Sequence, residues 1–545
     1  MSSSESSSHM ASLFSESFSS HEQKNKKERG FEMTFKRSLP ATPEEELPAP
    51  FPEVESNKAA YIAATITSLL ISLGGFLFGW DTGTISGIVV MPDFLERFAD
   101  WKTSTQSYAF SVVKTGLIVS IFTLAAAPGG LTLGKLGDKF GRKKGLFVTL
   151  VFYMVGVVVQ ISSNSSWIQF FFGRILTGMA VGSTLVICPI FISEVSPKAI
   201  RGTLVCLFQL SVTLGIFIGY CVCYASYHNY DDSRQWRIPI GLDFAWALIA
   251  IAGLVFAPES PRYLIQNGNL EMAQKSISRI NKAPENSIIV LTEMNNLIEA
   301  IDAEKQAGKA SWRDLVTGHP KIAYRLIMGI VLDSLQVLSG NTYFFYYGTS
   351  TFKSVGLTDG FMTSIILGLV NFVSTFGSLY VIDHLGRRKS LILGSAGMLV
   401  CLIVYSSLGV KSLYPEEYGV DPNSTVGDLM ILFCCLYIFS FATTWGPGIY
   451  VILGESYPIR VRSQAIAIAT AANWIWGFLI AFFTPMITNV IHFAYGFVFA
   501  GLEAFAIVYV YTCVPETKGI PLEDVDEMYA NFKPGLAFKS NDGKI

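Results

Sequence analysis

The sequence predicts an all-α membrane protein with twelve transmembrane helices, arranged as two parallel six-helix halves that a cytoplasmic helical linker joins. Composition is the first reason. Of the 545 residues, 51% are hydrophobic and only 15% are charged, whereas a soluble domain of this length carries about a quarter charged residues. The second reason is repetition, because three short signatures occur in the same order in both halves of the chain. These properties exclude a soluble enzyme.

Twelve apolar segments have about the length that a bilayer requires. They cover residues 59–82, 112–133, 146–162, 168–191, 203–224, 239–257, 325–350, 362–383, 390–410, 429–453, 464–488 and 494–514. An even number of spans returns both termini to one side of the membrane. The predicted units are a disordered tail (1–58), an N-terminal half (59–258), a linker (259–322), a C-terminal half (323–514) and a second tail (515–545).

Basic residues give the orientation, because short cytoplasmic loops are enriched in Lys and Arg. The loops after the second and eighth segments carry Lys135, Lys139, Arg142, Lys143, Lys144, Arg387, Arg388 and Lys389. Both termini are therefore expected in the cytoplasm. Asn423-Ser424-Thr425 then lies outside the cell as an acceptor for N-glycosylation, whereas the similar pattern at Asn164 is too close to the membrane for use.

The repeated signatures relate the two halves. Gly134 to Lys143 resembles 383–388, Glu194-x-x-Pro-x-x-x-Arg201 recurs as Glu455 to Arg462, and Pro258-Glu-Ser recurs as 515–517. Parallel repeats of this kind predict a substrate cavity between the halves, near the middle of the bilayer. Between the repeats, residues 260–322 alternate charged and apolar side chains, which predicts short amphipathic helices on the cytoplasmic side.

Metal, cofactor and nucleic-acid chemistry have no support in the sequence. All eight cysteines lie in apolar segments, without metal-ligand spacing. The net charge of −2 gives no reason to expect a nucleic-acid partner. A phosphate-binding loop that would indicate an ATP-driven pump is also missing from the sequence. We therefore expect no metal, no cofactor and no enzymatic activity.

Polar residues inside the apolar segments mark candidate functional positions. Asp333, Gln336 or Val337, and Gly340 fall at helical spacing, so one face of the seventh segment needs water, a ligand or close helix packing. Tyr346 and Tyr347 follow about two turns later, where aromatic rings can close over a cavity. Charges buried in lipid also need a partner or water, and Asp81, Arg174, Asp333 and Glu503 each lie in an apolar segment. No role is predicted for Glu503.

The motifs together resemble one family. The loop 134–144, Gly173-Arg174, Pro258-Glu-Ser-Pro-Arg262 and Pro515-Glu-Thr-Lys-Gly519 are similar to those of the sugar porters of the major facilitator superfamily. The runs 78–87 and 343–348 resemble the hexose transporters of yeasts in particular. This resemblance implies the major facilitator fold and covers about residues 59–530.

The resemblance also implies a sugar site, position by position. It assigns sugar contacts to Gln209, Gln336, Val337, Thr342, Asn371, Tyr450, Asn473 and Trp474. Three positions depart from the family, because Val337 replaces a glutamine, Thr342 an asparagine and Asp333 a glutamine. Amides suit sugar hydroxyls, since they both donate and accept hydrogen bonds without carrying a charge. The alternative for Gln209 and Asn371 is hydrogen bonding between helices. The three departures predict weak or altered hexose selectivity.

Gates, ion pairs and a proton site follow from the same resemblance. Gating positions are Tyr346, Tyr347, Gly446, Pro447 and Gly448. A cytoplasmic ion-pair network comprises Asp138, Arg142, Glu194, Arg201, Asp383, Arg387, Glu455 and Arg462. Candidate proton-site residues are Asp81, Arg174 and Asp333. In the proton-coupled members an acid at the position of Asp81, paired with an arginine at that of Arg174, takes the proton, but yeast-type hexose facilitators carry the same acid.

The expected function is therefore movement of a hexose across the plasma membrane by alternating access, as facilitated diffusion. We expect the protein to act as a monomer, with the sugar and the lipid bilayer as its partners. One alternative is a proton-coupled sugar or polyol symporter. Another is a sugar sensor built on the transporter fold, although the 31-residue tail 515–545 is shorter than the long cytoplasmic extensions of fungal glucose sensors.

Overall fold

The computed structural model describes residues 58–103, 106–197, 200–306, 313–354, 360–412, 424–458, 460–520 and 525–532. Within these ranges twelve membrane helices follow one another. They span Lys58–Ile88, Val112–Thr132, Arg142–Ile161, Trp167–Val195, Arg201–Asn229, Arg234–Phe256, Ile322–Leu338 with Asn341–Ser354, Gly360–Leu385, Arg387–Ser412, Ser424–Ser440 with Gly446–Ser456, Arg462–Ile491 and Tyr495–Cys513. The predicted twelve-helix class is confirmed.

The last two membrane helices form one continuous apolar run. Eleven runs in the described chain are long and apolar enough to cross a membrane, and the last of them covers 50 residues, Gln464–Cys513. At 1.5 Å per residue this run is more than twice as long as the hydrocarbon core is thick. A 3₁₀ turn, His492–Ala494, breaks it into the eleventh and twelfth helices.

Two membrane helices are interrupted at their middle. The seventh breaks at Ser339 and Gly340, where Gly340 has a φ of +102° and a β-carbon would lie 2.9 Å from the Phe499 ring. Glycine therefore satisfies both the backbone conformation and the close approach. The tenth contains a π-helical turn, Phe441–Trp445, directly before Pro447. Both breaks lie in segments that the sequence assigns to the site and its gate.

Close backbone contact holds the first and fifth helices together in the N-terminal half. A β-carbon on Gly79 would lie 1.9 Å from the carbonyl oxygen of Val212. In lipid, where apolar surface gains little by leaving the solvent, such close packing of small residues is a main source of helix association. The two helices can therefore hold Asp81 in a fixed position.

The linker forms four helices, Pro261–Gln266, Leu270–Asn281, Ile288–Gln306 and Asp314–Thr317. The first three share a small core of their own, which contains Leu264, Leu270, Ile277, Val290 and Met294. The short amphipathic helices that the charge pattern predicts are thus present.

The segment after the twelfth helix differs from the predicted polar tail. A helix, Val525–Asn531, packs against the C-terminal half with Tyr529 fully buried. Arg325, at the start of the seventh helix and also fully buried, donates to Asp526 (2.6 Å) and to the main-chain oxygen of Ser456 (3.2 Å). Val525, Tyr529 and Phe532 recur at helical spacing, which is the sequence signal that the prediction of a polar tail overlooked.

The loop between the first two membrane helices is also folded. It contains a short helix, Pro92–Phe98, and an antiparallel pair of strands, β1 (Asp100–Lys102) and β2 (Ser107–Ala109). Phe94 packs edge-on against Trp236, whose indole nitrogen donates to Asp93 (2.9 Å). The predicted glycosylation position Asn423 and the predicted tail up to residue 57 lie outside the described residues.

Candidate functional site

Asp333, Gln336 and Asn473 form one hydrogen-bonded group between the seventh and eleventh helices. The Asn473 amide nitrogen donates to the main-chain oxygen and Oδ1 of Asp333, at 2.9 Å each, and to Gln336 Oε1 at 3.1 Å. Gln336 in turn donates to the carbonyl oxygens of Trp445 (2.9 Å) and Gly446 (3.0 Å). The structure therefore links two predicted sugar-binding amides directly to the glycine-proline break of the tenth helix.

The two other departures in the seventh helix are buried. Val337 is 5% exposed and faces Gly477 of the eleventh helix. A β-carbon added to Gly477 would lie 3.9 Å from the Val337 side chain. Thr342 is 8% exposed and binds the neighbouring residue, with its main-chain nitrogen 2.6 Å and its hydroxyl 3.1 Å from Asn341 Oδ1. The sequence analysis did not select Asn341. This residue provides an amide one position before Thr342, where the family has an asparagine.

Gln209 and Asn371 are unlike these bonded amides. Gln209 lies half-buried on the fifth helix, and Asn371 lies on the eighth helix. Neither side chain forms a hydrogen bond with another residue in the part of the chain that the structure describes. A buried amide without partners is unfavourable unless water or a ligand supplies them. The two amides come from opposite halves, on helices that meet where Phe217 of the fifth stacks on Phe372 of the eighth.

Aromatic residues surround this region. Trp474, next to Asn473, meets Phe78 of the first helix edge-to-face, with ring centroids 5.7 Å apart. Tyr450, on the linker side of the tenth-helix break, is 50% exposed although its neighbour Ile449 is fully buried. A sugar presents apolar C–H faces as well as hydroxyls, so this mixture of amides and rings matches its surface.

The predicted gating tyrosines are both buried, and they point in different directions. Tyr347 donates to the carbonyl oxygen of Ala481 in the eleventh helix (2.5 Å). Tyr346 lies beside Thr82 and Thr123, which belong to the first and second helices of the other half. The second part of the seventh helix therefore contacts the N-terminal half through Tyr346.

A buried ion pair lies near Tyr346. Arg174 donates through both terminal nitrogens to the two carboxylate oxygens of Asp81, at 3.1 Å each, and both residues are at most 4% exposed. The guanidinium also lies over the Phe122 ring, 5.1 Å from its centroid. The structure thus brings together two of the three predicted proton-site residues and places the third, Asp333, in the other half.

A second buried acid in the N-terminal half was missed from the sequence. Asp243, on the sixth helix, is 4% exposed and accepts a hydrogen bond from the Tyr153 hydroxyl (2.7 Å). Asp81 and Arg174 are close enough to act on it electrostatically. The signal was the one that singled out Asp81, a carboxylate within an apolar segment.

Glu503 occupies a comparable position in the C-terminal half. It is 1% exposed on the twelfth helix, and one of its carboxylate oxygens has no hydrogen-bond partner among the described residues. Tyr437, which binds Ser339 at the break of the seventh helix, is near enough to act on it electrostatically. Glu503 therefore lies behind the candidate site and not in it.

Comparison with known proteins decides the family. The sequence profile described as "Sugar (and other) transporter" matches residues 67–529. The chain belongs to the sugar transporter family. The low-affinity glucose transporter HXT3 of Saccharomyces cerevisiae is 51% identical over 475 residues, 87% of this chain and 83% of its own length. The high-affinity hexose transporter HXT6 of the same yeast is 51% identical over 471 residues, 86% of this chain and 82% of its own.

A solved structure agrees with the fold. The major facilitator proton:xylose symporter XylE, bound to 6-bromo-6-deoxy-D-glucose, is 25% identical and superposes with a TM-score of 0.69. The match covers 87% of this chain and all of that one. The major facilitator fold that the motifs implied is therefore confirmed, and with it the assignment of this chain as a multi-pass membrane transporter rather than an enzyme.

The two halves of the transporter meet tightly at the end of the bundle away from the linker. Tyr220 of the fifth helix donates to the carbonyl oxygen of Phe345 in the seventh (2.7 Å). Tyr227 stacks on Phe361 of the eighth helix, with ring centroids 4.6 Å apart. These contacts close that end, whereas the exposed Tyr450 lies toward the linker. In this conformation the halves are therefore joined at the end away from the linker.

The charged loops of the transporter form ion pairs within each half. Arg142 binds Asp138 (2.6 Å) and Glu194 (3.0 Å), and Arg387 binds Asp383 (3.3 Å) and Glu455 (2.8 Å). The other two predicted arginines bind carbonyl oxygens instead of glutamates, as Arg201 donates to Ser196 (3.4 Å) and Arg462 to Tyr457 (3.0 Å).

A glutamate closes each of these two loops. Gly141 and Gly386 have positive φ angles, and a β-carbon on them would lie 2.5 Å and 2.7 Å from the carboxylates of Glu259 and Glu516. Glu516 accepts from the main-chain nitrogens of Arg387 (2.8 Å) and Arg388 (3.2 Å), and Glu259 accepts from that of Lys143 (3.1 Å), the counterpart of Arg388. A carboxylate at a helix N-terminus pairs with unsatisfied N–H groups and with the helix dipole. The repeated sequence signatures therefore form the same loop structure in both halves.

Proposed function

We propose that this transporter moves a hexose across the plasma membrane by facilitated diffusion, with the sugar bound between Gln209 and Asn371. The unsatisfied hydrogen-bonding capacity of these two amides, one from each half, is the observation that carries the proposal. A ligand that binds both halves at once favours conformations in which they approach, which is what alternating access requires. The names of the yeast relatives, a glucose and a hexose transporter, support a hexose as the substrate.

Facilitated diffusion is favoured by the geometry of the Asp81–Arg174 pair. Protonation of Asp81 would leave the charge of Arg174 buried without a counter-charge, which is unfavourable. Proton coupling is the second candidate, because the solved XylE structure is described as a proton:xylose symporter and the same half contains the additional acid Asp243.

Uptake of labelled sugars tests this function. In yeast cells that lack their own hexose carriers, we expect the protein to restore glucose uptake. Sugar addition to unbuffered cells should leave the external pH unchanged at first, whereas prompt alkalinisation that Asp81→Asn abolishes would establish proton coupling. Folded protein at the cell surface without any hexose uptake would overturn the proposal and favour a sensor.

The proposed orientation places the linker and both termini in the cytoplasm. It rests on the basic loops at residues 135–144 and 387–389. Peptide tags at both ends should then resist protease added to intact cells and be cleaved after the cells are permeabilised. Cleavage of either tag in intact cells would reverse this assignment, and the closed end of the bundle would then face the cytoplasm.

A further inference from the structure

Asp333 is a buried acid whose charge has no partner. It is fully buried on the seventh helix, and only one of its carboxylate oxygens is bonded, to Asn473. The other, Oδ2, has no hydrogen-bond partner among the described residues. The nearest cation on the same helix, Arg325, lies two turns away and is paired with Asp526. A buried carboxylate without a cation is strongly unfavourable unless it takes up a proton.

Among the described residues, the neighbouring helices add polar groups but no cation that acts on Asp333. Tyr450 and Tyr457 of the tenth helix face it, and Asn473 faces it from the eleventh. From the twelfth helix, Tyr509 reaches Tyr457. Proton uptake is therefore the means left to neutralise the carboxylate.

The Tyr457 hydroxyl is a second unsatisfied group on the same side of the helix. It has no partner among the described residues, and a β-carbon on Gly329 would lie 1.8 Å from it. Gly329 and Asp333 are one helical turn apart, so the hydroxyl and Oδ2 lie along one helix face. Tyr450, which faces Asp333, is 50% exposed. Water can therefore reach a group that lies next to the buried carboxylate.

We propose that Asp333 is a proton-binding site that controls sugar binding through the amide of Asn473. This inference rests on the proposed function, and it is consistent with facilitated diffusion when the empty carrier returns with Asp333 still protonated. An ionised Asp333 is the stronger acceptor, because hydrogen bonds to charged groups are shorter and stronger than neutral ones. It therefore holds the Asn473 amide in place. A protonated Asp333 binds that amide more weakly and releases it for a sugar hydroxyl. The sugar consequently binds the protonated form, and each ligand strengthens binding of the other.

The sign of the pH effect follows directly. Because the protonated form binds sugar, affinity is greatest at low pH and is lost as the pH rises. We expect the Kd for D-glucose to rise about fivefold or more between pH 5.5 and pH 8.5, the lower end of typical coupling between two sites. Asp333→Asn is a permanently neutral isostere, so it should bind glucose with the low-pH affinity at every pH.

The experiment is equilibrium binding of labelled D-glucose to the purified full-length protein between pH 5.5 and 8.5. A flat profile in Asp333→Asn together with a sloping profile in the unaltered protein and in Glu503→Gln supports the proposal, because Glu503 is a buried acid of the same half that lies outside the site. A slope that is lost in Glu503→Gln and retained in Asp333→Asn would overturn it and place the proton site on the twelfth helix.

A second measurement needs no variant. Glucose added to the unaltered protein in weakly buffered solution should take up protons, which a pH indicator records. Glucose binding without proton uptake and without pH dependence would overturn the inference while leaving the proposed function intact. A folded protein that binds no hexose at any pH would instead overturn the proposed function, and this inference with it.

Discussion

Replacement of Arg174 by leucine should destabilise the protein severely. The change leaves Asp81 buried without the two hydrogen bonds that now hold it at 3.1 Å. Removal of one partner from a buried ion pair typically costs about 3–5 kcal/mol, because the remaining charge is uncompensated. This loss is comparable to the whole stability of many domains. We expect little folded protein at the membrane, measured as monodisperse material after detergent extraction.

A double replacement distinguishes lost charge balance from lost packing. Asp81→Asn combined with Arg174→Leu removes both charges, so most of the folded protein should return. Transport is a separate readout, because both residues lie near the gating residue Tyr346. If Arg174→Leu alone folds as well as the unaltered protein, or if the double variant is no better than the single one, the pair does not hold the N-terminal half together.

Gln209→Ala should weaken sugar binding about tenfold to a hundredfold. A pair of hydrogen bonds in a partly dry cavity contributes about 1–3 kcal/mol, and every 1.4 kcal/mol is a factor of ten in affinity. Stability should change little, because the Gln209 side chain has no hydrogen-bond partner among the described residues. Initial uptake rates over a range of glucose concentrations, normalised to surface protein, measure the effect.

Gln169→Ala is the matched control. This glutamine donates to Ser162 (2.9 Å) and to the carbonyl oxygen of Val159 (3.2 Å), at one end of the fourth helix and away from the site. Uptake should be unchanged in that variant. Equal losses of folded protein and transport in Gln209→Ala would instead indicate a packing role.

The sequence predicts the helices well because a bilayer demands about twenty apolar residues for each span. It places their ends less well. The first predicted segment stops at residue 82, whereas the helix continues to Ile88 through Thr84 and Ser86. These polar residues are buried inside the bundle and not in water, and composition alone cannot distinguish the two environments. Contacts that form only in three dimensions decide such cases.

In the candidate site, too, the sequence indicates residue types but not the contacts that those residues form. The resemblance proposes candidate residues, including Gln209, Asn371 and Asn473. Their hydrogen-bond partners were not, because Gln336 is bonded to the break in the tenth helix and Asn473 to Asp333 across two helices. The break at Gly340 likewise depends on Phe499, which lies far along the chain. Sequence patterns report residue types, whereas these interactions depend on distant packing.

The helix Val525–Asn531 has a consequence for how the chain is synthesised. Arg325 enters the membrane with the seventh helix, but its carboxylate partner, Asp526, leaves the ribosome 201 residues later. Until then the buried guanidinium has no acidic partner, and the ring of Tyr529, now 4.1 Å from it, is not yet there to cover it. The C-terminal half therefore acquires its final packing around Arg325 only after the helix Val525–Asn531 has been synthesised.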